Sequence, residues 1–514
     1  MSRRLIALFA VCLFAGIADA EPLQMSVQQR VYSGGDKDAL MLVNRIEQWL
    51  PNETAVIVCD MWDKHWCKHS TARWVELSKT INLVLDAARK KGVLIVHAPS
   101  GCMPFYKDYP QRKALAEYKG KGVKVSAAHL PAETGKTFPI NDSDGGCECT
   151  PKCKVEYPWK RQSELIAIAE QDVISDSGEE IVAYFQAKGI KNVMMTGVAA
   201  NMCCIGRSFG LRALKRLGFN AVMVRDLTDV MYNPLMPPKV EHFSGLDLAL
   251  EYIETYISPS VVSSSITGQK QFRFPDDKRK RIAFIAAEGE YRSNQSLPEF
   301  AHQLTLRNYH GDFALGVPKT EGEGRHNIEN LQILDDADLM VLYVRRRALE
   351  PEKTAKIKRF IESGKPVLGL RTSCVAFDAK KKIVENGKEL AQWTELDRDV
   401  WGGNYQGYDE QLRKAEAGTD VTIAVGKENH PLLKGVAAFH AADWLYKNTP
   451  LRSEKAEVLL RGKNPKQDEP VFWLNGSSVI YTSLGHWDDW KDKNFQTLMF
   501  NTVEYLLNEE HKER

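Results

Sequence analysis

Charge of one sign is the first thing this sequence lacks. Its 514 residues carry 69 Lys and Arg against 67 Asp and Glu, a formal charge of +2. So small an excess removes the electrostatic footprint of a nucleic-acid binder, and no nucleic acid is expected as a partner. Long apolar runs are missing too. Past the N-terminus no stretch reaches the ~18 apolar residues of a spanning helix, so no membrane is expected as a partner of the mature chain. There is no collagen-like repeat, no coiled-coil heptad run and no disorder-prone composition: 43% of residues are hydrophobic and 26% charged, as in a globular protein. The length suits two domains or more, each with a core of its own.

The N-terminus is patterned for export. Arg3 and Arg4 precede an apolar run from Leu5 to Ile17, and Ala18-Asp19-Ala20 follows. A basic start, a short apolar core and an A-x-A site describe a signal peptide over residues 1–20, cleaved after Ala20, and a periplasmic or secreted mature chain. Ten cysteines are present, nine of them beyond that segment. Cys147-x-Cys149-x-x-x-Cys153 is the densest group. In an oxidising compartment, disulfides rank ahead of zinc there, with Cys67 or Cys102 as partners that can be written; zinc would need a fourth ligand from elsewhere.

The body of the chain alternates strands and helices. Thr54–Cys59 reads as a buried parallel strand, 73–91 as a helix stopped by Gly92, and 93–96 as the next strand. Residues 100–160 are irregular and look like a long insertion, a length that usually has a function. Strand Leu165–Ala169, helix Glu179–Lys188, strand Val193–Thr196, helix Cys203–Leu217 and strand Ala221–Val224 complete a first domain, 21–260. A linker is expected at 261–280, where Ser- and Pro-rich sequence gives way to a basic stretch. A second unit, 281–508, starts at strand 281–286. Strands Leu339–Val344, Pro366–Leu370, Val421–Val425 and Ser478–Thr482 and a helix Asn494–Leu507 follow. The fold class is α/β, two doubly wound domains on mainly parallel sheets.

Parallel sheets bind ligands at the carboxyl ends of their strands. Asp60 directly follows strand 54–59. Thr196-Gly197-Val198-Ala199-Ala200-Asn201-Met202-Cys203 runs from another strand into a helix, so both motifs point to one sheet edge. A cysteine at a helix N-terminus is biased toward thiolate, a nearby carboxylate can take its proton, and N–H groups around Ala199 and Cys203 can hold an oxyanion. His65 and His69 lie four apart, and His97 ends the next strand. On a helix His65 and His69 would share a face, a usable metal spacing, but partly buried cleft histidines are the commoner outcome, so a metal near His65, His69 and His97 ranks second, behind no metal. Arg225, Asp226 and Asp229 follow the last apolar strand and either line the same edge or form an ion-paired turn.

Val56-Ile57-Val58-Cys59-Asp60-Met61 with Thr196–Cys203 resembles the isochorismatase-like cysteine hydrolases over roughly residues 50–260. The resemblance implies a three-layer α/β/α fold, an Asp–Lys–Cys triad and a cis peptide before the residue matching Ala199. It also implies hydrolysis of C–N bonds in small amides or N-carbamoyl compounds, and often assembly into homo-oligomers. Asp60 and Cys203 carry over as catalytic residues. The lysine's place falls on Glu170 or Gln171, and Lys160 is the nearest upstream cation, with Lys152 and Lys154 further off. Ala199, Asn201 and Glu170 stand as substrate-binding candidates.

In the second unit Glu288 and Tyr291 follow the first strand, Arg371 and Cys374 follow strand 366–370, and His486 and Trp487 follow strand 478–482. A loop rich in glycine and aromatics spans 401–408. Aromatic and polar groups gathered at strand ends suit a saccharide, with Arg371 and His486 as binding candidates. Gly369–Phe377 with Tyr481–His486 resembles the ThuA-like domains linked to trehalose utilisation, over about 280–508. That resemblance implies a flavodoxin-like, glutamine-amidotransferase-like fold and sugar-related metabolism. Cys374 lacks the glycine-flanked turn of an amidotransferase nucleophile and reads as structural. The functional expectation is an exported cysteine hydrolase acting on a small amide or related carbonyl compound, joined to a carbohydrate-linked domain, with no cofactor. The competing reading is a two-domain saccharide-binding protein with little or no catalysis.

Overall fold

A computed structural model describes residues 21–32, 40–317, 322, 324–414 and 418–508. The expected signal peptide and its cleavage point after Ala20 lie outside the described residues. Two sheets organise the chain. The first contains β1 (Leu23–Tyr32), β2 (Leu40–Trp49), β3 (Thr54–Cys59), β4 (Leu94–Ala98), β5 (Val173–Ile174), β6 (Asn192–Val198), β7 (Asn220–Asp229) and β8 (Ser260–Val261), in the order β2-β1-β8-β7-β6-β3-β4-β5. From β3 to β8 every pairing is parallel. Counted from β3, that part runs 3-2-1-4-5-6, the doubly wound order whose switch point lies between its first and fourth strands, here β3 and β6.

The central strands read as continuous apolar runs because helices cover both faces. Thr54 to Cys59 are all buried. The helix Lys68–Lys90 buries Ser70, Arg73, Trp74, Leu77, Ser78, Ile81, Val84, Leu85 and Ala88, one stripe at three- and four-residue spacing. It ends at Gly92, which sits at φ +87°.

Several expected elements shift. Leu165–Ala169 is irregular rather than a strand. Its backbone is held by side chains, with Asn82 accepting from Ala167 N–H and Arg89 donating to Ala167 O. The edge strand is β5 instead, paired with Val96 and His97. The expected helix Cys203–Leu217 is two short helices, Cys203–Gly206 and Leu211–Arg216, broken where Arg207 is extended at ψ 160°. Val261 is still part of β8, and the residues from there to β9 are folded onto the first domain. Asp226 accepts from the N–H groups of Ser263 and Phe272, and Phe274 is buried in the first core.

The second sheet holds β9 (Arg281–Ala287), β10 (His310–Leu315), β11 (Leu339–Val344), β12 (Val367–Leu370), β15 (Thr419–Ile423), β16 (Phe439–Ala441), β17 (Ala456–Asn464), β18 (Gln467–Asn475) and β19 (Val479–Thr482). A separate small hairpin pairs β13 (Val384–Glu385) with β14 (Lys388–Glu389). The sheet order is β10-β9-β11-β12-β19-β18-β17-β15-β16. Its parallel half, counted from β9, runs 2-1-3-4-5, the flavodoxin-like order. The other half is antiparallel, so the expected strand Val421–Val425 belongs to an antiparallel extension, and Val425 itself is exposed. The β1–β2 hairpin bridges the domains: β1 pairs with β8, while Leu42 of β2 is buried in the second core.

Candidate functional site

The first sheet's switch point brings Asp60 and the segment 197–203 together. Asp60 follows β3 with a left-handed φ of +45° and is wholly buried. β6 can come this close because position 197 is glycine, at φ +101°: a Cβ there would meet Cys59 O at 2.1 Å. The Val198–Ala199 peptide is cis, as the motif resemblance implies. Ala200 N–H donates to Asp229 O, and the N–H groups of Met202 and Cys204 donate to Ala199 O. No backbone hydrogen bond recorded among the described residues takes up the N–H of Ala199 or of Cys203.

Asp60 is held from three sides. Ser100 N–H donates to Oδ1 at 2.7 Å, Arg207 Nε donates to Oδ2 at 2.9 Å, and the Cys203 thiol meets the same carboxylate. Burial pushes the Asp60 carboxyl above its ordinary range, while Arg207 and the Ser100 N–H pull it back. Burial, and then the charge of Asp60, push the Cys203 thiol well up, with Arg207 opposing. Burial and Asp60 therefore work against the thiolate expected from a helix N-terminus. The helix that begins at Cys203 is a single turn, with little dipole to offer. The arrangement is a thiol facing a carboxylate that can take its proton, with a fixed cation beside both.

That cation is Arg207, which the sequence reading did not single out. Its one legible signal is position: four residues past Cys203, one helical turn on. Lys160 is not brought to Asp60; its side chain is exposed, and its backbone N–H donates to Asp63 Oδ1 at 3.2 Å. Lys152 pairs with Asp144, and Lys154 is exposed. Glu170 and Gln171 lie exposed in the turn before β5. The buried carboxylate of that turn is Asp172, which binds His97 Nε2 at 3.0 Å and Arg89 at 2.7 Å.

Asn201 is occupied as a clamp. Its amide donates to Asp142 Oδ2 and Met231 O and accepts from Met231 N–H. The three histidines do not converge. His97 lies between Gln162 and Asp172, and His69 is exposed beside Glu148. His65 accepts from Cys67 N–H and is held neutral, pushed down to about 4 by burial. His65 instead joins an aromatic wall: Trp62 and Trp159 stack at 4.1 Å, and His65 lies parallel to Trp159 at 5.6 Å. Trp159 comes from the long insertion, and Trp62 Nε1 donates to Ser100 O.

Asp229, at the end of β7, stands beneath this edge. Burial opposes its charge, but Arg73 and His242 outweigh it and hold the carboxyl far below the ordinary range. Arg225 and Asp226 point elsewhere, to Ser260, Ser263 and Phe272.

In the second domain Arg371 and His486 do lie close, at the ends of the adjacent strands β12 and β19. Arg371 is 1% exposed and paired with Asp443, and its guanidinium faces the rings of Tyr446 at 4.3 Å and Tyr291 at 4.8 Å. Tyr291 in turn lies 6.0 Å from His486. Arg371 thus fills the space between the rings. Cys374 is buried in a 3-10 turn, and burial pushes its thiol up. The switch point of this sheet lies between β9 and β11. There Glu288 accepts from the N–H groups of Glu290, Tyr291 and Ser293 and so holds the start of the helix Ser293–Thr305.

Residues 294–506 match the family model described as ThuA, trehalose utilisation. No curated protein matches the sequence. Similar solved structures include a cysteine hydrolase from Pseudomonas syringae pv. phaseolicola 1448A, 16% identical, covering 42% of this chain and 92% of that one, with TM-score 0.28. Another is an isochorismatase family protein from Burkholderia thailandensis, 12% identical, covering 42% and 95%, with TM-score 0.25. A third is a ThuA-like protein from Parabacteroides merdae ATCC 43184, 13% identical, covering 45% and 91%, with TM-score 0.31.

Proposed function

We propose that this chain, whose residues 294–506 match the ThuA family model, is an exported cysteine hydrolase of the isochorismatase-like type acting on a small amide or related C–N substrate. The observation that carries the reading is the cluster of Asp60, Cys203 and Arg207 beside Ala199, at the switch point of a doubly wound sheet. In the proposed reaction Asp60 takes the Cys203 proton as sulfur attacks the carbonyl carbon. The N–H groups of Ala199 and Cys203 hold the oxyanion, and Arg207 steadies the negative charge that the proton transfer moves between sulfur and carboxylate. The C–N bond breaks as Asp60 returns the proton to the leaving nitrogen. Water, deprotonated by Asp60, then cleaves the thioester and releases the acid and the free thiol. The stacked Trp62 and Trp159 favour a flat or apolar substrate body. The link of the ThuA domain to carbohydrate is part of the same proposal.

The test is amine or ammonia release from a panel of small amides and N-carbamoyl compounds, by wild type and Cys203→Ala. The expected result is turnover by wild type that Cys203→Ala abolishes while its circular dichroism is unchanged. Turnover that survives the substitution would overturn the assignment of Cys203. Saccharide binding with no hydrolysis of any panel member would favour the competing binding-protein reading.

A further inference from the structure

Away from the Asp60 site, four cysteines from two distant stretches meet. The sulfurs of Cys67, Cys147 and Cys149 all lie within 4.8 Å of one another, and those of Cys67 and Cys149 are 3.8 Å apart. Cys153 lies against Cys147 and Cys149. All four are free thiols, so the disulfides expected here from composition are not the arrangement the fold presents. A metal with four sulfur ligands at ~2.3 Å in a tetrahedron spaces its sulfurs by about 3.8 Å.

Backbone N–H groups surround the cluster. Cys67 is the N-cap of the 23-residue helix Lys68–Lys90. The first three N–H groups of that helix, which have no partner within it, approach three different sulfurs: Lys68 toward Cys153, His69 toward Cys149 and Ser70 toward Cys67. The N–H groups of Cys149 and Cys153 approach the fourth, Cys147. Donors turned on every sulfur favour the deprotonated ligand, as second-shell hydrogen bonds do at metal sites. Cys102, the other partner that sequence allowed, stands apart beside Ser100 O.

We propose that Cys67, Cys147, Cys149 and Cys153 form a structural four-sulfur site for zinc or a similar soft divalent ion. Four thiols release four protons on binding, and the closed ligand set leaves no open position for chemistry at the metal. The site ties the insertion 100–160 to the start of the helix Lys68–Lys90. Glu148, between two of the ligands, pairs with Arg73 and lies 3.5 Å from His242, the two residues that hold Asp229 under Ala200.

Cobalt(II) titration of the reduced, metal-free full chain, with zinc analysis and intact mass of the protein as purified, tests this. The expected result is about one equivalent of zinc as purified and about one of cobalt on titration. The cobalt form should show the intense visible bands of tetrahedral thiolate ligation and the near-ultraviolet sulfur-to-metal charge-transfer bands. Cys149→Ser and Cys153→Ser should lose that spectrum, and Cys102→Ala should keep it. The wild-type titration decides even where a variant does not fold. Reduced protein that takes up no cobalt, or purified protein whose mass is short of hydrogens through bridges among these four residues, would overturn the proposal.

Discussion

At the scale of single residues, Arg207 carries the most weight. Its guanidinium lies 2.9 Å from Asp60 and lowers the cost of negative charge on both Asp60 and Cys203. Removing that charge raises the thiol further, and each pK unit lowers the thiolate fraction tenfold at a fixed pH. Arg207→Met should therefore slow iodoacetamide labelling of Cys203 by about tenfold or more near neutral pH and move its pH profile upward. Arg207→Lys should recover part of the loss. An unchanged profile in Arg207→Met would remove the arginine from the electrostatics of the site. Asp60 and Cys203 were legible because strand ends in a parallel sheet mark binding positions and the motif around each is distinctive. Arg207 was not, because its role depends on the helix stopping after one turn. An uninterrupted helix from 203 to 217 would not have the extended backbone that Arg207 shows.

At the scale of elements, the sequence was clearest where burial is two-sided. β3, β6, β9 and β11 read as unbroken apolar runs, and the helix Lys68–Lys90 as a three-four stripe. It was least clear where side chains, not ladders, satisfy the backbone, as at 165–169, and where one-sided strands look like polar loop, as in the β1–β2 hairpin. The insertion 100–160 belongs to the second kind. Few of its residues fall in regular structure, yet Glu133 is buried and takes three contacts of 2.6–3.1 Å from Arg212 and one from Leu130 N–H. Burial pushes the Glu133 carboxyl up, and these bonds outweigh it, leaving it below the ordinary range. A depressed carboxylate stabilises above its unfolded pKa, ~4.3, and that contribution is lost as pH falls below it. Arg212→Met strands a buried charge and should cost about 3–5 kcal/mol in denaturant unfolding, with new protease cutting between residues 100 and 160. The double variant Arg212→Met, Glu133→Leu should regain much of the loss. Equal loss in both would mean that packing, and not the ion pair, anchors the insertion.

At the scale of the whole molecule, the two sheets are joined by charge as well as by chain. Asp247, in the helix His242–Tyr256 of the first domain, accepts from Arg279 at 2.8 Å and pairs with His310 of β10 in the second domain, also at 2.8 Å. His310 has Asp312 on its other nitrogen at 3.1 Å. Burial works against the imidazolium, and Arg281 adds to that. Asp247 and Asp312 overcome both and raise His310 from 6.5 to about 8. Asp247 itself, disfavoured by burial but facing Arg279 and His310, falls to about 2. The signs follow from linkage. The raised histidine stabilises fully below its unfolded pKa of ~6.5, and the gain is lost as pH rises through about 8. The depressed aspartate stabilises above ~3.9, and that gain is lost as pH falls toward about 2. The seam is therefore strongest between about pH 4 and 6.5. A shift of about one and a half units corresponds to about 2 kcal/mol. Wild-type protein should lose about that much unfolding free energy between pH 6 and 9, with thermal unfolding separating toward two transitions at the alkaline end. His310→Gln keeps a hydrogen bond to Asp247 but cannot titrate, so its stability should be nearly flat over the same window and lower than wild type at pH 6. If wild type and variant fall in parallel from pH 6 to 9, the charge on His310 does not couple the two sheets, and apolar contacts such as that of Leu42 with the second core carry the seam instead.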